Sequence, residues 1–402
     1  MSVLAFFPWW EIEEPIRVGG YELLPFVRGE APAGGNSTER VLLDRLLAPW
    51  CDLATRPLRA SAGGSALSTP LPPPERETYL RPIGRATLLH REGESLTPAI
   101  AAGEERRLFE FAKLVAFAGL AGRQYFGIGI GYSNSDDFSF VVQHFIEPGG
   151  GTSVVRRRRD GQVSIGYSEG RFRELRPPHV NRNGRFTVDV ALLRALVSVW
   201  QESEAPESPS PSGAAQLPDG LWRRIAEATE AFNGANRDSD QVSQQGELIA
   251  IVGSTQRLLG TGDKRDLLVA EVRRLFTAQL GETPPAGQAW PVDLWLRELC
   301  GGWRGKFAHG GLRELDGAQW GLKSHLLLVS FFFPLLVKLV LADAKRYELT
   351  CADRRDLGCF AEQVAADPMK FETDEHGEQR SPWNRIRSSA AMREAFREFE
   401  AS

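Results

Sequence analysis

The stretch Gln201 to Gly220, QESEAPESPSPSGAAQLPDG, most constrains how this chain can fold. It is built of Pro, Ser, Glu and Gly and has almost nothing to bury, which is the composition of a linker. It divides the 402 residues into two halves of different character, in keeping with roughly 100–200 residues per domain. The expected layout is an N-terminal domain over 1–200, a linker over 201–220, a helical bundle over 221–345 and a helical extension over 346–402. Charged residues make up 25% and apolar ones 42%, with a formal net charge of −4. That excludes a disordered chain, a collagen-like chain and a small disulfide scaffold.

The first half reads as strands and loops with about two helices. Phe126 to Tyr132, Phe138 to Ile146 and Arg185 to Val190 are strand-like runs. Thr152 to Tyr167 reads as a hairpin, because Asp160-Gly161 between two such runs suits the left-handed backbone of a tight turn. Helices are expected near Glu39 to Leu47 and over Glu104 to Ala121. In the latter, Leu108, Phe111, Leu114, Val115 and Ala118 share one face.

The second half reads as helices. Leu221, Ile225, Ala228 and Phe232 form an apolar stripe, and Leu248, Ile251, Val252, Thr255, Leu258 and Leu259 repeat the pattern before the stop signals Gly260 and Gly262. A third helix covers about Arg265 to Leu280, with Leu268, Val272, Leu275 and Phe276 facing inward, and a fourth begins near Pro291, a residue suited to a first helical turn. The fifth contains the run Leu326 to Val337. Twelve apolar residues are too few to cross a bilayer, which takes about 20, so this helix is expected to be the most buried, with a kink at Pro334. A short helix over Ala390 to Phe399 is expected to close the chain. The fold class is therefore α+β: a β-rich domain followed by an antiparallel helical bundle.

The chemistry-bearing residues are few. Cys51, Cys300, Cys351 and Cys359 show no metal-binding spacing and read as reduced thiols of a cytoplasmic protein. No phosphate-binding glycine loop, HExxH or GxSxG motif occurs. Asp136-Asp137 with Glu147, and Asp353 with Asp356, read as solvated loop charge rather than metal ligands, and no cofactor or metal is expected. Among the six histidines, His325 and His144 read as structural. The informative passage is Leu294 to Gly311, LWLRELCGGWRGKFAHGG, in which Arg304 and His309 are separated by four residues. A permanent cation there accompanies a group that titrates near neutrality. On a straight helix this spacing splays the two side chains by about 140°, but the glycines around them allow the backbone to depart from a regular helix.

This passage resembles the HEPN superfamily, whose motif is Arg, four to six residues, then His. Ala226 to Asp240 is similar to that family's first helix, and Glu247 to Gly262 to its second, where the family often has Glu and this chain has Gln256. The resemblance covers about 221–342 and is nearest to the Apea-like branch, in which a β-rich domain precedes the bundle. It implies a metal-independent endoribonuclease, with RNA as substrate and a homodimer that brings two Arg-His pairs into one cleft. It also implies an anti-phage or toxin-like role, with a phage-derived or small-molecule trigger at the N-terminal domain. Arg304 would neutralise the scissile phosphate and His309 would move protons. Asn233, Asn236 and Asp238 would support them, and Trp303, a core residue by default, is placed to stack on a base. Family members often carry a polar residue directly after the Arg; here it is Gly305. The alternative is an inactive HEPN-type scaffold that binds RNA or drives dimerisation.

Arg156, Arg157, Arg158 and Arg159 are a candidate RNA-binding surface, weighed against a charged edge that prevents aggregation. Residues 1–200 hold 24 basic and 22 acidic residues, so the basic excess lies in the half without the motif.

Overall fold

The computed structural model describes residues 2–27, 85–95, 102–122, 135–145, 152–156, 163–167, 187–204, 218, 220–237, 242–281, 290–308, 317–366, 372–373 and 379–380. It is a mixed α and β structure. Seven strands form one antiparallel sheet in the order β2-β3-β4-β1-β5-β6-β7. They are β1 (Ser2–Phe7), β2 (Ile16–Val18), β3 (Tyr21–Val27), β4 (Arg85–Arg91), β5 (Val141–Phe145), β6 (Thr152–Arg156) and β7 (Val163–Tyr167). The sequence SVLAFF of β1 is buried from Val3 to Phe7 and pairs with β4 on one side and β5 on the other, which makes it the central strand.

Nine helical segments are described: α1 (Ala102–Gly122), α2 (Val190–Glu204), α3 (Leu221–Ala235), α4 (Gln244–Leu259), α5 (Arg265–Leu280), α6 (Pro291–Arg297), α7 (Arg304–Ala308), α8 (Leu322–Asp343) and α9 (Cys351–Gln363). A π-helical turn at Glu298–Trp303, a short 3-10 turn at Ser135–Phe138 and a small strand pair, β8 (Glu372–Thr373) and β9 (Gln379–Arg380), complete the described elements.

The chain forms two compact units. One comprises Met1–Ala112 and Asp136–Phe186; the other comprises Lys113–Ser135 and Thr187–Ser402. In the sheet unit, the first half of α1 meets the sheet through Phe111, whose ring stacks on Tyr21 at 4.6 Å, and through Glu104, which binds Arg91. Tyr21 stands opposite Arg91, and the next pair along, Glu22 opposite His90, points to the other face by strand alternation.

The helical unit is packed around aromatic rings. Phe117 of α1 lies 5.7 Å from Phe232 and 5.9 Å from Phe333. Trp295, Phe332 and Phe360 form a second cluster that joins α6, α8 and α9. The expected stripes of α1, α3, α4 and α5 are buried, apart from half-buried Leu259. α8 spans 22 residues, longer than its apolar run suggested and long enough to cross a membrane. In the fold, 72% of its most apolar stretch is buried. It continues through Pro334 without ending there.

Four expectations differ from this structure. Residues 187–189 are not a strand, because Asp189 caps α2: its Oδ1 accepts from the Leu192 N–H at 2.9 Å. The alternation of RFTVDV resembled a strand only because the helix-starting Asp falls on its polar phase. Second, α2 and the second half of α1 belong to the helical unit, not to an N-terminal domain over 1–200. Third, α9 lies within the region read as an extension, yet its Phe360 is core. Fourth, Asp137 and Asp353 are buried rather than solvated. The hairpin of β6 and β7 is present, with Arg156 opposite Val163. The runs at 39–47, 126–132 and 390–399 lie outside the described residues, as does the hairpin connection at 157–162.

Candidate functional site

The site is built where the fourth predicted helix stops being an ordinary helix. Pro291 starts α6, and Val292, Trp295, Leu296, Leu299, Cys300 and Trp303 face inward. From Glu298 to Trp303 the backbone becomes a π-helix, and the Arg304 N–H donates to the Leu299 carbonyl five residues back. Such a wide turn re-aims the residues after it and recurs at functional sites. Gly301 and Gly302 lie inside it.

Glu298 anchors this turn. Its Oε2 accepts the Gln319 N–H at 2.8 Å and its Oε1 the Trp320 N–H at 3.1 Å. The same carboxylate lies 3.0 Å from His325 Nε2. His325 is fully buried among Trp295, Trp303 and Trp320, with ring centroids 6.0–6.3 Å away. Burial opposes the Glu298 charge, but the hydrogen bonds from His325, Gln319 and Trp320 outweigh it and hold its pKa below the ordinary carboxylate value. His325 is thus a paired core histidine, as its sequence context suggested.

Arg304 opens α7, the short helix after the π turn, and its side chain is 27% exposed. Its Nη2 donates to Asp263 Oδ1 at 2.6 Å. Asp263 is delivered by the end of α4: Gly260 adopts a left-handed conformation, φ 67°, and the Thr261 N–H closes the cap on the Gln256 carbonyl. Asp263 itself is 82% exposed. Cys300 lies close by, and burial pushes its thiol up to about 12, offset only in part by Arg304 and Arg265, so it stays protonated.

The predicted constellation is assembled only in part. Arg304 is at the surface. His309 and Asp238 lie outside the described residues, as do Arg157, Arg158 and Arg159; the backbone of Arg156 ends β6. Asn233 and Asn236 are not beside Arg304. An ion pair between Arg257 and Glu227 at 3.6 Å puts the middle of α3 level with the last turn of α4. Asn236 is nine residues further on, about 13 Å away at 1.5 Å per residue, while Asp263, which the Arg304 guanidinium binds, follows the C-terminal end of α4. Asn233 donates to the Lys113 carbonyl at 3.0 Å and Asn236 to the Phe232 carbonyl at 2.8 Å, so within one chain both are structural. Trp303 is also corrected: it is 2% exposed and donates to the Trp320 carbonyl, which leaves no face for a base.

Three arrangements carried no sequence signal. Lys338 is buried between Asp189, at 2.6 Å, and Asp353, at 2.5 Å. In the sheet unit, His90 Nε2 lies 3.3 Å from Glu22 Oε2, both buried. Around Arg304, Arg265 and Arg297 gather with Asp266. Partners dozens of residues apart leave no fixed spacing to read. Among the described residues no group of His, Cys, Asp and Glu is arranged to hold a metal ion.

Compared with known proteins, the chain matches no family model, no curated protein and no solved structure.

Proposed function

We propose that the helical unit is a metal-independent endoribonuclease of the HEPN type, acting in the cytoplasm as a homodimer and serving as an anti-phage or toxin-like effector. The observation that carries this reading is the setting of Arg304. A guanidinium on a short helix leaves a π turn at the surface and, among the described residues, is held by a well-exposed carboxylate. Exposed ion pairs are worth about 0–1 kcal/mol, so a phosphodiester can take the place of Asp263 and receive a bidentate contact. In the reaction, His309 takes the ribose 2′-OH proton, the 2′-oxygen attacks phosphorus and the bond to the 5′-oxygen breaks. That oxygen leaves as a hydroxyl, taking up a proton returned by the protonated His309 or supplied by water, and a 2′,3′-cyclic phosphate remains. Arg304 stabilises the charge that builds on the phosphoryl oxygens. The sheet unit would receive the phage-derived or small-molecule trigger.

The test is cleavage of total RNA by the full chain in the presence of a chelator, against Arg304→Ala and His309→Ala. Wild-type cleavage leaving cyclic phosphate ends, lost by 10²-fold or more in each variant, is expected. Equal cleavage by all three, or none by the wild type with its trigger present, sinks the proposal. Light scattering that finds a strict monomer at micromolar concentration removes the composite cleft.

A second reading, an inactive HEPN-type scaffold, is favoured by one observation. Asn233 and Asn236 are committed to structural bonds, and Gly305 supplies no side chain beside Arg304.

A further inference from the structure

Two carboxylates on one turn hold two arginines of a single helical stretch. Asp263 takes Arg304, and three residues later Asp266 takes Arg297. Both acids are largely exposed, at 82% and 72%. Between them, Arg265 lies across Gly301, midway between Arg297 and Arg304 in sequence: a Cβ on Gly301 would come within 2.6 Å of its Nη1. Arg265 and Arg304 also both act on the buried Cys300 thiol, which puts both of them near it. Three guanidiniums thus follow one edge of the helical unit, from α6 through the π turn to α7. Arg265 and Arg297 are each more than two-fifths exposed.

Two exposed acids do not neutralise three arginines, and a structural ion pair gains little at such exposure. The edge therefore keeps excess positive charge against a row of weakly held, displaceable anions. The geometry points to two further phosphate sites beside Arg304, on Arg265 and Arg297, with Asp263 and Asp266 occupying the positions of RNA backbone phosphates until a strand displaces them. This deepens the ribonuclease reading and rests on it. The ligand class is single-stranded RNA held by its backbone. Arginine rather than lysine at all three positions suits two-pronged phosphate contacts.

The proposal is tested by fluorescence anisotropy of the full chain with a labelled 2′-O-methyl oligouridylate, which binds but lacks the 2′-OH needed for cleavage. Asp266→Asn removes a competitor, so it should tighten binding by about two- to five-fold at low salt. Arg265→Ala with Arg297→Ala should weaken binding and flatten the plot of log K against log salt by about 1.4, or about 0.7 per lost phosphate contact. The Asn variant is a surface change that keeps its side-chain volume, and it decides the matter should the double variant unfold. Unchanged or weaker binding by Asp266→Asn overturns the proposal, because the pair then serves structure alone. So does equal binding of polyglutamate at matched charge. Wild-type cleavage and binding that the double variant retains also overturn it, while the ribonuclease reading stands. A wild type that neither binds the oligonucleotide nor cleaves RNA brings down both.

Discussion

One carboxylate, that of Glu298, serves three donors at the start of the π turn. Replacing it with Ala leaves two backbone N–H groups and the fully buried His325 to find new partners. Gln319 is exposed and its N–H can turn to water, so at about 1–3 kcal/mol for each of the two buried groups, Glu298→Ala should cost roughly 2–6 kcal/mol in urea unfolding. Glu298→Gln keeps acceptor capacity and should cost less. At Gly305 the reverse is expected. Nothing lies within 4 Å of a Cβ placed there, so Gly305→Asn should fold as the wild type does. On the ribonuclease reading it should raise cleavage by restoring a polar neighbour to Arg304; a lower rate on RNA would count against that role.

At the scale of elements, the starts of α2 and α9 meet α8 at Lys338. Asp189 caps α2 and binds this lysine. Asp353 binds it too, accepts from Tyr347 and takes part in a capping box with Thr350. Burial opposes the Lys338 charge, yet Asp189 and Asp353 outweigh it and raise its pKa. Lys338→Ala strands two carboxylates, one deeply buried, and should cost about 3–5 kcal/mol, measured by chemical denaturation with the m-value unchanged. The helices on this network were legible where their faces alternate with a 3.6-residue period. α2 was not, because a capping Asp inside RFTVDV mimicked strand alternation. The network itself left no trace, because Asp189, Lys338 and Asp353 are far apart in sequence and each is ordinary alone.

The whole molecule inherits a pH dependence from these groups. For Asp353, burial raises the pKa, but Lys338 and Thr350 outweigh it; for Asp343, the hydrogen bond from Arg274 comes first. Both end below the ordinary value, as does Glu298. A carboxylate depressed in the folded state contributes stability that is present above its unfolded pKa of about 4 and is lost as pH falls through the lower folded value. Lys338 is the opposite case: its contribution is present below about 10.4 and is lost as pH rises through its raised folded pKa. Unfolding free energy should therefore be level with respect to these groups between about pH 5 and pH 10. It should fall below about pH 4, as followed by circular dichroism, and Asp353→Asn should reduce the acid-side loss.

Periodicity by itself determined that α1, α3, α4 and α5 are helices and which faces they bury, from Leu108 on α1 to Leu275 on α5. The Asp160-Gly161 turn signal located the β6–β7 hairpin, and the spacing of Arg304 and His309 singled out Arg304. Those properties are local: a side chain's neighbours three or four residues away decide whether its face is apolar. Only the tertiary structure decided what meets that face. It bonded Asn233 and Asn236 to backbone carbonyls, buried Trp303, and set Arg304 on an aspartate 41 residues away. It also drew Arg265 and Arg297 onto the same edge. A hydrophobic pattern tells a residue to turn inward or outward but carries no information about its partner, so the pairings that make a site appear only when the chain has closed on itself.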